Sequence, residues 1–255
     1  MQWIRGANPD DTQRPGPRRA FFIAWAPEAG RYHAPVSQPA YPAESGTLSL
    51  DGPAGGLEVA IDRSECPPQP AVAIVCHPLP TEGGTMHNKV VTMAARALRE
   101  LGLDSVRFNF RGVGASTGSF DEGRGETDDL IAVAEWVRAQ RPDAALWLAG
   151  FSFGAYVALR AAATLQPDFM LSIAPPVGRS WDFSTISLPT CPWLVVQGEA
   201  DEVVDAQAVF AWVEAMAQPP QLVRMPDTSH FFHRKLIDLR GAIKHGVRPH
   251  LPHAA

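Results

Sequence analysis

The pattern Gly-x-Ser-x-Gly occurs twice in this chain, in different surroundings. One copy is Gly150-Phe151-Ser152-Phe153-Gly154 and the other is Gly114-Ala115-Ser116-Thr117-Gly118. A serine in this pattern becomes a nucleophile when it sits on a sharp turn from a buried strand into a helix, with its hydroxyl pushed out above the sheet. The flanking positions must be small because strand and helix approach closely at the turn. Ser152 meets these conditions: the apolar run ALWLA (Ala145–Ala149) precedes it, and Ala155-Tyr156-Val157-Ala158-Leu159 continues with helical character. Ser116 is followed by Gly118, Ser119, Asp121, Gly123 and Gly125, which is loop chemistry. Ser152 is the candidate nucleophile.

A serine hydroxyl needs a base within hydrogen-bond reach, and the base needs an acid to orient it. In sheets that carry such a turn the chain order is serine, then carboxylate, then histidine. After an apolar run at Trp193–Gln197 comes Gly198-Glu199-Ala200-Asp201-Glu202-Val203-Val204-Asp205, where Asp201 is the candidate acid. Glu199 and Asp205 are rivals, and Asp205 could equally cap a helix starting at Ala206. After Gln221–Met225 comes Pro226-Asp227-Thr228-Ser229-His230, where His230 is the candidate base. His233 reads as a surface or packing residue one helical turn on, and His245, His250 and His253 fall in a polar tail.

Acyl transfer also builds negative charge on a carbonyl oxygen, and backbone N–H groups aimed at that oxygen are usually the largest single catalytic contribution. One donor is expected at Phe153, directly after the serine and at a helix N-terminus. The other is expected from the loop His77-Pro78-Leu79-Pro80-Thr81-Glu82-Gly83-Gly84. Pro78 and Pro80 have no N–H, which leaves Leu79.

These residues need a scaffold to position them. Thr47–Leu50 and Leu57–Ile61 read as a hairpin, and AVAIVC (Ala71–Cys76) as a strand buried on both faces. Periodicity and apolar runs predict further strands at Ser105–Phe110, Ala145–Ala149, Phe169–Ala174, Trp193–Gln197 and Gln221–Met225. Helices are predicted at Lys89–Glu100, Gly125–Gln140, Phe153–Leu165, Ala206–Met216 and Phe231–Lys244. Strands alternating with helices of this length imply an α/β fold with a mostly parallel central sheet and helices on both faces.

The wider composition narrows the function classes. At 255 residues, 45% hydrophobic and 19% charged, the chain suits one globular domain with or without a tail. A formal charge of −5 gives no basic footprint for nucleic acid. The three cysteines, Cys66, Cys76 and Cys191, form neither a disulfide framework nor a zinc spacing, so a reducing, cytoplasmic setting is expected. The longest charge-free apolar stretch, Ala144–Leu159, is short for a membrane span and is interrupted by Gly150, Ser152 and Gly154. Arg18-Arg19 before Phe21–Ala26 resembles a twin-arginine export signal, but Pro27 and Glu28 end the apolar run too early. The seven prolines among residues 9–42 disfavour regular structure, so residues 1–45 read as an irregular extension, 46–245 as the catalytic domain and 246–255 as a tail. The alternative for the extension is an arm packed on the domain through Trp3, Phe21, Phe22 and Trp25.

From about Gly46 to Lys244 the chain resembles the α/β-hydrolase superfamily, and looks closest to small lidless bacterial serine hydrolases related to dienelactone hydrolases. The segments that carry the resemblance are CHPLPTEGGTMHNKVV, RFNFRGVGASTG, GFSFGAYVAL, GEADEVV and SHFFH. The resemblance implies a sheet of the eight-stranded type, a Ser152–Asp201–His230 triad and an anion hole from Leu79 and Phe153. Dienelactone hydrolases proper use a cysteine where this chain has Ser152, so their substrate is not carried over, and residues 1–45 have no counterpart in the pattern.

Many hydrolases of this fold insert a helical lid between the sixth and seventh strands. Here Pro175–Pro192 is 18 residues, too short for several helices. The expected site is therefore open and shallow, bordered by Phe120, Phe151, Trp181, Phe183 and Phe231, and suited to small or exposed acyl groups. The expected activity is cleavage of small carboxylic esters or thioesters, with no cofactor or metal and no nucleic-acid or membrane partner. A hydrolase-fold binding protein without turnover and an acyltransferase are the alternatives, and the oligomeric state is left open.

Overall fold

The computed structural model describes residues 38–252. The Arg18-Arg19 segment and the aromatic residues of an N-terminal arm lie outside the described residues. Eight strands form one sheet: β1 (Gly46–Gly52), β2 (Gly55–Asp62), β3 (Ala71–Cys76), β4 (Asp104–Phe108), β5 (Ala145–Phe151), β6 (Phe169–Ile173), β7 (Trp193–Gly198) and β8 (Gln221–Met225). Their spatial order is β1-β2-β4-β3-β5-β6-β7-β8. The first two pairings, β1 with β2 and β2 with β4, are antiparallel, and every later pairing is parallel. Five α-helices lie among them: α1 (Lys89–Arg99), α2 (Arg124–Gln140), α3 (Phe153–Leu165), α4 (Ala206–Glu214) and α5 (Leu236–Val247). No helix among the described residues is long and apolar enough to cross a membrane.

The sheet separates two apolar clusters, and the pleat assigns residues to them in turn. Val72, Ile74 and Cys76 of β3 face one cluster, while Ala71, Ala73 and Val75 face the other. The same alternation divides Leu146 and Leu148 from Trp147, Ala149 and Phe151 on β5. The first cluster is covered by α2, α3 and α4, the second by α1 and α5. A strand sandwiched this way is almost wholly apolar, which is why β3 and β5 read as continuous hydrophobic runs and β6 and β7 carry one buried polar side chain each, Ser172 and Gln197.

Several predicted boundaries move, and two of the shifts have a plain local reason. The fourth strand stops at Phe108 instead of Phe110. Beyond it the Asn109 N–H turns to Glu58 O, and the Phe110 N–H goes to the imidazole of His77 at 3.0 Å. The last helix starts at Leu236 instead of Phe231. Phe232 and Arg234 have φ of 53° and 57°, which breaks any helix, while Phe232 is fully buried. The apolar spacing of Phe232, Leu236, Leu239 and Ile243 therefore continues through a turn that is not helical. At its other end α5 runs to Val247, which is buried, so the helix extends two residues beyond the expected domain boundary. Near the N-terminal end of the described chain, Tyr41 stacks on Trp136 with ring centroids 5.4 Å apart. Trp136 donates its indole N–H to Pro39 O at 2.8 Å, so residues 39–41 lie against α2.

Candidate active site

The chain between β5 and α3 turns at one residue. Ser152 has φ 52° and ψ −120°, a region that side chains disfavour, and its N–H is held by Ile173 O at 2.8 Å. The two flanking glycines are forced by close approach. A Cβ on Gly150 would lie 2.2 Å from Gly154 O, and one on Gly154 would lie 2.4 Å from Cys76 O. The turn lifts the Ser152 hydroxyl to the floor of an open cavity of about 430 Å³.

His230 reaches that hydroxyl from the loop after β8: its Nε2 lies 3.1 Å from Ser152 Oγ. Its Nδ1 lies 2.8 Å from Asp201 Oδ2. A carboxylate only accepts, so Nδ1 carries the proton and Nε2 turns its lone pair to the serine. The ring is boxed in by Phe151 beneath it, with centroids 5.0 Å apart, and by the edge of Phe231 at 5.1 Å. The His230 N–H donates to the Glu202 carboxylate at 3.1 Å, tying the histidine loop to the acid loop.

Asp201 is fully buried at its side chain and held from several directions. Oδ1 accepts the N–H groups of Val203 and Val204, and Oδ2 accepts Gln197 Nε2 at 2.9 Å. Burial works to raise its pKa. The hydrogen bond and charge of His230, with the Val204 and Val203 N–H groups, outweigh that and hold the carboxyl below its ordinary value. The rivals sit elsewhere: Glu199 is exposed, and Asp205 caps α4 by accepting the Gln207 N–H at 2.9 Å.

Leu79 and Phe153 both line the same cavity, and neither backbone N–H donates to a protein acceptor among the described residues. The aim of the first is set by His77. The Phe110 N–H can only donate, so His77 Nε2 accepts it and Nδ1 carries the proton, which it gives to Pro78 O at 2.7 Å. Pro78 O and the Leu79 N–H lie on opposite sides of one trans peptide. Fixing the carbonyl on His77 therefore turns the Leu79 N–H the other way. Burial pushes the His77 pKa down to about 4, so the ring is neutral at pH 7. Sequence reasoning gave His77 and Gln197 no role. His77 stands directly before the donor loop, a usable signal. Gln197 sits inside an apolar strand, where a polar residue needs a partner.

The expected aromatic border is only partly there. Trp181 and Phe231 line the cavity. Phe151 is fully buried under His230. Phe120 packs on Phe153 and Phe183 on Tyr156 and Trp212, so both stand behind the lining. A large side chain near the site supports the wall as readily as it lines it, and only packing decides which. Pro176, Val203 and Val204 join Trp181 in the wall instead. The segment between β6 and β7 contains no helix, so no helical lid stands over the cavity, and its Pro176, Arg179 and Trp181 form part of the wall. The second motif serine, Ser116, is buried and structural: its hydroxyl donates to Asn109 O at 2.6 Å and accepts the Glu58 N–H at 2.9 Å. Among the described residues no three His, Cys, Asp or Glu side chains are grouped to hold a metal ion.

Comparison with known proteins agrees with this architecture. Residues 74–178 match the family model for the alpha/beta hydrolase fold. The chain is 68% identical to XC6422 from Xanthomonas campestris, whose crystal structure is described as a member of a/b serine hydrolase without lid. The likeness covers 86% of this chain and all of that one, with a TM-score of 0.83. An alpha-beta serine hydrolase homologue from Coxiella burnetii is 45% identical over 82% of this chain and all of its own, with a TM-score of 0.78. The uncharacterized protein RP471 of Rickettsia prowazekii is 34% identical over 206 residues, 77% of this chain and 86% of that protein. With its mostly parallel sheet, its strand-to-helix serine turn and relatives aligned over most of their length, the chain belongs to the α/β-hydrolase superfamily.

Proposed function

We propose that the protein is a serine hydrolase that cleaves small carboxylic esters or thioesters through an acyl-enzyme intermediate. The observation that carries this reading is the strained Ser152, whose hydroxyl meets a histidine lone pair that Asp201 orients. The relatives from Xanthomonas campestris and Coxiella burnetii, both described as serine hydrolases or homologues of them, support it.

Ser152 Oγ attacks the acyl carbon as its proton passes to His230 Nε2. The carbonyl oxygen becomes an oxyanion, which the Leu79 and Phe153 N–H groups stabilise; a donor of this kind is worth on the order of 10²–10³ in rate. The bond to the leaving oxygen or sulfur breaks, and His230 Nε2 gives its proton to that atom. Asp201 stabilises the imidazolium in between. Water then attacks the acyl-enzyme, losing a proton to His230, and Ser152 is released with its hydroxyl restored. The uncovered cavity favours short or exposed acyl groups, and no step calls for a metal or cofactor. The three free cysteines suit a reducing, cytoplasmic setting, and the acidic net charge does not suit nucleic acid.

A fluorophosphonate probe tests the reading. Wild type and Ser116→Ala are expected to label and to hydrolyse 4-nitrophenyl acetate, and Ser152→Ala to do neither. A folded wild type that takes no label would overturn the hydrolase reading in favour of a binding protein. Turnover that rises steadily from acetyl to palmitoyl esters would overturn the preference for short acyl groups.

A further inference from the structure

A second cavity, of about 410 Å³, adjoins the one over Ser152 and shares Gly83, Asn88 and Phe231 with it. Two distant stretches of chain build it, Gly83–Val90 before and into α1 and Phe231–Leu236 after His230. Each stretch contributes one full cation and one imidazole: Lys89 and His87 from the first, Arg234 and His233 from the second. None of the lining residues is acidic. The chain as a whole is acidic, and its other two lysines both pair with carboxylates, Lys235 with Asp238 and Lys244 with Glu100. Lys89 and Arg234 pair with none among the described residues. Arg234 is also held in left-handed backbone at φ 57°, which sets its side chain on the turn that carries His230.

The position relative to the chemistry assigns the occupant. In the proposed reaction the leaving atom must approach His230 Nε2. The residue after His230, Phe231, lines both cavities, so a leaving group extended past it enters the basic one. The acyl side meets the wall of Pro176, Trp181, Val203 and Val204 instead, where the one cation, Arg179, donates to Val203 O at 3.0 Å. The carboxylate on the lining of the first cavity, Glu82, is absent from that of the second. We infer that this second cavity is a subsite for an anionic group, a carboxylate or a phosphate, on the leaving alcohol or thiol. The inference rests on the hydrolase reading for its orientation and adds the substrate class.

Four acetyl thioesters of similar length test it: S-acetyl-3-mercaptopropionate, S-acetyl-2-mercaptoethyl phosphate, neutral S-acetyl-3-mercaptopropanol and cationic acetylthiocholine. Two exposed cations predict that kcat/KM for the anionic thioesters exceeds that of the neutral one about five-fold at low ionic strength. The gain should sit in KM and shrink as salt is raised. The cationic thioester is expected below the neutral one, and the better of the two anions identifies carboxylate or phosphate. In a Lys89→Gln/Arg234→Gln double variant, checked for fold by circular dichroism, the anionic-to-neutral ratio should fall to near one. Arg248→Gln, which removes a cation outside both cavities, should leave the ratio as in wild type. Equal kcat/KM for anionic and neutral thioesters in wild type, or a preference that survives in the double variant, overturns the inference. Calorimetric binding of the same thioesters to Ser152→Ala separates the two claims. A preserved anion preference without wild-type turnover would sink hydrolysis alone, and equal Kd values beside intact turnover would sink the subsite alone.

Discussion

His77 links the stability of this protein to pH in a way that can be worked through. Its ring is wholly buried and neutral, with a pKa pushed down to about 4 by burial from an ordinary 6.5. The unfolded chain therefore takes up this proton at a higher pH than the folded one. Stability from this group is complete above about pH 6.5 and is lost as pH falls toward the folded value near 4. At about 1.4 kcal/mol per pKa unit, the loss between pH 7 and pH 4.5 comes to roughly 2 kcal/mol. Other groups titrate in the same window, so the test is a difference between two proteins. His77→Gln keeps a donor and an acceptor but cannot titrate. At pH 7 it should be destabilised by about 1–3 kcal/mol, because the Phe110 N–H and Pro78 O are no longer both satisfied. Urea unfolding followed by tryptophan fluorescence at pH 7 and pH 4.5 gives the gap between wild type and variant at each pH. That gap should narrow by roughly 2 kcal/mol at the lower pH, and the variant can become the more stable protein there. A gap that stays constant within about 0.5 kcal/mol would mean that His77 titrates normally and that the tautomer argument fails. The same variant frees the Pro78–Leu79 peptide, so kcat for 4-nitrophenyl acetate should fall more than KM changes, by up to the 10²–10³ of one lost oxyanion donor.

Other perturbations follow from the same geometry. Asp201→Asn places an amide beside His230 Nδ1 and favours the tautomer with its proton on Nε2, so kcat should drop by about 10⁴ with little change in fold by circular dichroism. A residual rate within ten-fold of wild type would show that another group orients the imidazole. Gly154→Ala drives a Cβ to 2.4 Å from Cys76 O and 2.6 Å from His77 O, both backbone, so the elbow must shift. It should lower the melting temperature sharply and abolish fluorophosphonate labelling, and a variant with wild-type Tm would refute the packing account of that glycine. Ser116→Ala strands the half-buried Glu58 N–H and the buried Asn109 O and should cost about 1–3 kcal/mol in urea unfolding while labelling at Ser152 persists.

Much of the fold was legible because its signals are local or periodic. The fully apolar runs of β3 and β5 follow from burial on both faces, and the elbow follows from glycines that steric approach makes obligatory. The order of serine, acid and histidine along the chain led to three residues that the structure brings together. Ser116 could be set aside because glycines, and no apolar helical run, follow it. What sequence could not supply was the identity of the neighbours. Nothing local separates Phe151, which supports His230 from below, from Phe231, which lines the cavity beside it, because both are aromatic and both flank a key residue. Nor does periodicity reveal that Phe232 and Arg234 adopt positive φ, since the apolar spacing runs unbroken into α5. His77 receives its task from Phe110, which lies 33 residues away. Glu202 likewise receives the His230 N–H from 28 residues away because β7 and β8 are neighbours in the sheet, whereas Gln197 meets Asp201 only four residues on. Sequence determined which residues could do chemistry and which strands had to be buried, because composition and spacing encode burial and turn geometry directly. Tertiary structure decided which of them touch, since a hydrogen bond between residues far apart in the chain depends on the register of the strands between them.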